Sequence, residues 1–167
     1  MTGPDIIVSV DCASWTRALP EVESLCRRVA AVSLGLAGEL PADRLEVSLV
    51  LADDAMVREL NGQYRGQDKP TNVLSFAALD DGGPVPAEGP VLLGDVIFAY
   101  ETTAAEAAAT GKTLDQHLCH LVVHGILHLL GYDHQNDAEA DEMEGLERSL
   151  LAALGVPDPY EESDEPR

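Results

Sequence analysis

The sequence predicts a single domain built from both strands and helices, and three observations carry that reading. A chain of 167 residues with 46% hydrophobic content buries a core of its own without disulfides. Short β-prone runs are interleaved with segments whose apolar residues recur every three or four positions. One such segment, residues 117–134 (HLCHLVVHGILHLLGYDH), holds all five histidines.

In chain order, DIIVSV (5–10) is a β-branched strand, and residues 15–36 carry Leu25, Val29, Val32 and Leu36 at helical intervals. Pro20 places the start of the continuous helix near itself, where a missing N–H costs nothing, and Gly35, Gly38 and Pro41 end it. Leu45, Val47, Leu49 and Leu51 alternate with Glu46, Ser48 and Val50, as in a strand with one buried face. Asp53 or Asp54 caps a short helix through Asn61. Residues 62–72 (GQYRGQDKPTN) read as a polar turn into the strand VLSFAAL, and Arg58, Arg65 and Lys69 gather in or beside it. That makes the turn either a solvated connection or an anion-facing loop.

DDGGPVPAEGP (80–90) is a connection and VLLGDVIFAY (91–100) a strand, so the pair reads as a hairpin-like excursion, with Gly94 a bulge or a close approach. The alanine-rich run after it is a helix stopped by Gly111. GKT at 111–113 is not a phosphate loop, because Glu106 stands where that motif needs glycine. Thr113 or Thr110 begins the histidine helix, which runs to about Leu130. Asp137 is the expected N-cap of a last helix with Met143, Leu146, Leu150 and Leu154 inside and Glu139, Asp141, Glu142, Glu144 and Glu147 on a solvated face. The domain is expected over 1–155, with an acidic, disordered tail over 156–167.

Thirty acidic against ten basic residues give a formal net charge of −20, which repels nucleic acid at long range and leaves any such binding to a local patch. Cys12, Cys26 and Cys119 show no framework spacing and read as small apolar side chains. With no leader pattern and no span-length apolar run, the expectation is a soluble cytoplasmic protein with no membrane contact.

His124, His128 and His134 stand at H-x-x-x-H-x-x-x-x-x-H. Residues four apart on a helix lie one above the other, so the first two present imidazoles to one ion. Gly131 can take the left-handed turn that returns His134 to them. Three imidazoles with an open fourth position describe a catalytic zinc site, although the same ligands accept other transition metals. His117 and His120 continue the stripe, but a helix rises ~16 Å from His117 to His128, too far for one ion. They are expected to orient ligands, face substrate or simply pack; a trio of His117, His120 and His124 is the alternative, with poorer geometry. The metzincin spacing matches, yet Gly125 replaces the catalytic Glu, so the peptidase base is absent and Lewis acidity toward a phosphoryl group remains.

YRGQDKPTNVLSF (64–76), LLGD (92–95) and HGILHLLGYDH (124–134), in this order, resemble the bacterial YbeY family of metal-dependent endoribonucleases. The resemblance implies an α+β fold with a small mixed sheet packed by helices, and one zinc ion on His124, His128 and His134. It implies that Arg65 is the functional arginine. It further implies a single-strand-specific endoribonuclease acting on ribosomal RNA, in 3′-end maturation of the small-subunit RNA and in ribosome quality control, with links to a small-subunit ribosomal protein and a ribosome-assembly GTPase. On that reading Lys69 and His120 approach the RNA, and Asp133 orients a ligand or caps a turn. Asn72, Ser75 and Asp95 are weaker candidates. The competing readings are a metal hydrolase of a non-RNA substrate and a non-catalytic assembly factor with a structural zinc.

Overall fold

The structure, a computed structural model, describes residues 4–36, 42–65, 71–78, 88–132 and 136–158. Among the described residues four strands form one mixed sheet in the order β1-β2-β4-β3: β1 (Asp5–Val10), β2 (Leu45–Ala52), β3 (Val73–Ala77) and β4 (Val91–Ala99). The first three in that order are parallel, and β3 runs antiparallel to β4, as the hairpin-like reading expected. Among the described residues six α-helices complete the α+β fold: α1 (Ala13–Ala18), α2 (Val22–Ser33), α3 (Asp54–Arg65), α4 (Tyr100–Ala109), α5 (Leu114–Leu129) and α6 (Asp137–Ala153).

The alternation read in β2 divides the molecule into two cores. Leu45, Val47, Leu49 and Leu51 face the larger one, under α2 and α5, together with Val96, Phe98 and the apolar side of α5. Val50 points the other way, to a smaller cluster of Val57, Leu74, Ile97 and Ala99 beneath α3. Trp15 is fully buried on α1, and its indole N–H is satisfied by the Ala52 carbonyl at 2.8 Å. Burial pushes the Cys26 thiol up to about 12 and that of Cys119 up to about 11, so both serve as small apolar side chains.

Gly94 is both the bulge and the close approach that the sequence suggested. Glu46 pairs with Leu92 and Val47 with Gly94, so one residue of β4 is extra. Its φ of 145° and its position against the Phe76 carbonyl leave no place for a Cβ.

Three expectations are corrected. α3 does not stop at Asn61 but runs four residues further, so residues 62–65 are helix and not turn; burial of Val57 and Asn61 outweighs the modest helix cost of Gly62. Asn136, not Asp137, caps α6, its side chain accepting from the Glu139 N–H at 2.9 Å. Glu147 is not on a solvated face: it is fully buried, because α6 turns this position toward α5.

Candidate metal centre

The histidine helix begins on a capping box. The Thr113 hydroxyl accepts from the Gln116 N–H, and the Gln116 side chain accepts from the Thr113 N–H. It ends as the sequence suggested: Gly131, with φ 102°, donates to the His128 carbonyl at 3.0 Å, and Tyr132 donates to Leu127 at 3.0 Å. This is the reversal that turns the chain back after the last helical residue. His134 and Asp133, which follow it, lie outside the described residues, as does Lys69.

His124 and His128 meet as the four-residue spacing requires. Their Nε2 atoms are 3.1 Å apart and both residues are half-buried. Two nitrogens bound to one tetrahedral zinc at 2.0–2.1 Å stand ~3.3 Å apart, so the pair fits such an ion within a few tenths of an ångström. The other nitrogen of His124, Nδ1, lies 2.6 Å from Glu147 Oε2, and Glu147 Oε1 lies 3.3 Å from His120 Nε2.

His120, His124 and Glu147 also bring three potential ligand atoms within 4.8 Å of one another. That grouping is the poorer metal site. The 2.6 Å contact between His124 Nδ1 and Glu147 Oε2 is hydrogen-bond distance and shorter than two tetrahedral ligands require.

His117 takes no part in this pair. Its Nε2 is 2.9 Å from Glu106 Oε1, and that oxygen also accepts from the Asn72 amide at 2.9 Å. Burial holds its imidazolium below the usual range although the hydrogen bond and charge of Glu106 pull the other way. A neutral ring donating from Nε2 fits the remaining nitrogen, Nδ1, which is buried without a hydrogen-bond partner among the described residues.

Gly125 explains the missing peptidase carboxylate in steric terms. A Cβ there would lie 2.6 Å from Val96 Cγ1 and 3.4 Å from the Ser75 hydroxyl, so this position faces β4 and β3 at close range. Ser75 therefore sits under the helix. Asp95, one residue before Val96, points to the opposite face of the sheet, where it lines an open groove with Val50, Phe76 and Ile97. Arg65 is the last residue of α3, its side chain outside the described residues, and Arg58 is exposed about two turns earlier on the same helix. The site-lining residue that the sequence reading missed is Glu147, buried beside His120 and His124; its place at a three- to four-residue interval from Met143 and Leu150 was the available signal.

An α+β sheet crossed by a helix with two facing imidazoles, one of them backed by a buried carboxylate, defines a class of protein able to hold a transition-metal ion. The comparisons give the particular family. The Endoribonuclease YbeY family model matches residues 5–155, and the chain belongs to that family. It is 60% identical over 159 residues to the Endoribonuclease YbeY of Paramagnetospirillum magneticum, covering 95% of this chain and 96% of the relative. It is 53% identical over 173 residues to that of Rhodospirillum rubrum, covering 99% and 86%. The solution structure of TM1509 from Thermotoga maritima shares the fold, with a TM-score of 0.54 at 22% identity over 97% of this chain and 99% of that one. Among the described residues no helix is long and apolar enough to cross a membrane.

Proposed function

We propose that this chain is a zinc-dependent endoribonuclease of the cytoplasm that cuts single-stranded segments of ribosomal RNA, matures the 3′ end of the small-subunit RNA and serves ribosome quality control. Its relatives are named endoribonucleases, which supports the nuclease part. The observation that carries the metal part is the 3.1 Å approach of two imidazole nitrogens on half-buried side chains. His124, His128 and His134 hold the ion, which supplies Lewis acidity toward a phosphodiester oxygen.

The rest of the work falls to the chain. Arg65 stabilises the negative charge that develops at phosphorus, and Lys69 seats the RNA backbone. Asp133 orients a ligand. His120, whose Nε2 lies 3.3 Å from Glu147 Oε1, is a weaker candidate for an RNA contact than Lys69. With glycine at 125 there is no carboxylate to serve as a peptidase base, which separates this site from a protease. The acidic surface suits a basic small-subunit ribosomal protein as partner, beside a ribosome-assembly GTPase.

Single-stranded RNA and casein are the substrates that test this. The wild type cleaves RNA and spares casein, and Arg65→Ala lowers cleavage roughly 10²- to 10³-fold while elemental analysis still finds one zinc per chain. Equal activity of the variant would remove Arg65 from the mechanism. A 2′,3′-cyclic phosphate end reports attack by the ribose hydroxyl, and its absence reports water. The non-catalytic alternative requires His128→Ala to unfold the domain; His128 is half-buried and outside both apolar clusters, which argues against that outcome.

A further inference from the structure

The metal ligands and RNA contacts proposed above give the buried carboxylate of Glu147 no task of its own. A carboxylate wholly removed from water is retained only where it is paired and hydrogen-bonded. Glu147 is completely buried on α6, and its two oxygens meet two imidazoles of α5, His124 Nδ1 at 2.6 Å and His120 Nε2 at 3.3 Å.

We infer that Glu147 is a positioning residue for the metal centre: it fixes the ring orientation and tautomer of His124 so that Nε2 is the nitrogen offered to the ion. The inference rests on His124 being a ligand. A carboxylate accepts hydrogen bonds, so the nitrogen facing it donates, and His124 carries its hydrogen on Nδ1. The lone pair of the neutral ring is then on Nε2, the atom that stands 3.1 Å from His128 Nε2. Were the ring turned over or the hydrogen on Nε2, the helix spacing would still bring the two rings together, but no lone pair would face the open side. The carboxylate also makes the imidazole a stronger donor to a cation. His120, bound to the other oxygen, holds the carboxylate in turn, which gives this histidine a task without a place on the metal.

Histidine tautomers in the wild-type, metal-free protein, read from long-range proton–nitrogen NMR correlations at pH 8, give the first test. His124 is expected to be protonated on Nδ1 with an unprotonated Nε2; the opposite tautomer overturns the inference and does not depend on any variant folding. The second test is zinc affinity by competition with a chelator. Glu147→Gln keeps the volume and loses the charge, and is expected to weaken zinc binding about 10- to 100-fold, with RNA cleavage restored at raised zinc. Affinity within twofold of wild type, or cleavage that stays lost at saturating zinc, overturns the positioning role. X-ray absorption of the zinc-loaded wild type is expected to show no Glu147 oxygen in the coordination shell when compared with the Gln variant; loss of an oxygen ligand in the variant would make Glu147 a ligand and overturn it. The metal reading fails separately, if wild-type protein binds no zinc or if His128→Ala leaves the affinity intact.

Discussion

Gly125 occupies the position where a metalloprotease carries its base, and the reason is packing before it is chemistry. Val96 lies 2.6 Å from where a Cβ would be, so Gly125→Ala must push a fully buried strand residue aside. Overpacking of this kind costs about 1–3 kcal/mol, and the urea midpoint of Gly125→Ala should fall accordingly. An unchanged midpoint would mean that α5 rides further from β4 than this contact indicates. His117, two turns earlier, is set by burial in a different way. Its folded pKa is lowered from 6.5 mainly by desolvation, against the pull of Glu106 and with a small further push from His120 and Lys112. Between the folded and the unfolded pKa the unfolded chain binds more protons, so the contribution is complete above 6.5 and is lost as pH falls from there toward the folded value. Metal-free wild type should therefore lose more stability than His117→Gln between pH 7.5 and pH 5.5 in urea titrations. Parallel losses would show that another group carries the acid sensitivity.

At the scale of elements, two helices that follow neighbouring parallel strands cap each other. The Asp54 N–H at the start of α3 donates to Glu101 Oε1 at 2.9 Å, while the Asp54 carboxylate accepts from the Thr102 N–H at 2.9 Å and its hydroxyl at 2.7 Å. Since the residue before α4, Ala99, has no capping side chain, Asp54→Ala strips α4 of its N-cap and should lower stability by about 1–2 kcal/mol. A double-mutant cycle with Thr102→Val checks it, and additive losses would refute the coupling. Such cross-chain capping is the kind of feature that a sequence hides. The alternation of β2, the start of α5 at Thr113 and its reversal at Gly131 were legible, because each depends on residues within a few positions of one another. The extension of α3 through Gly62 and the burial of Glu147 were not, because tertiary packing decides both. The half of the site on α5 was likewise legible from spacing, whereas the carboxylate behind it comes from a helix more than twenty residues later.

For the molecule as a whole the governing quantity is its charge. A formal −20 on 167 residues, with a sequence pI near 4.3, makes the compact state repel itself. Exposed pairs such as Arg27–Glu23 at 3.7 Å and Arg148–Asp158 at 3.1 Å oppose this locally, but solvent-exposed pairs contribute little, on the order of 0–1 kcal/mol. The two effects respond to salt with opposite sign. Screening weakens the pairs and the repulsion alike, yet the repulsion acts over many more separations, including those beyond the ~10 Å Debye length reached near 0.1 M salt. Salt should therefore stabilise this protein. If screening returns about 1 kcal/mol, the thermal midpoint rises about 2–4 °C, which differential scanning calorimetry of the metal-free protein would register between 10 and 200 mM sodium chloride. A midpoint that stays flat or falls would mean that the few cations are placed well enough to offset thirty carboxylates.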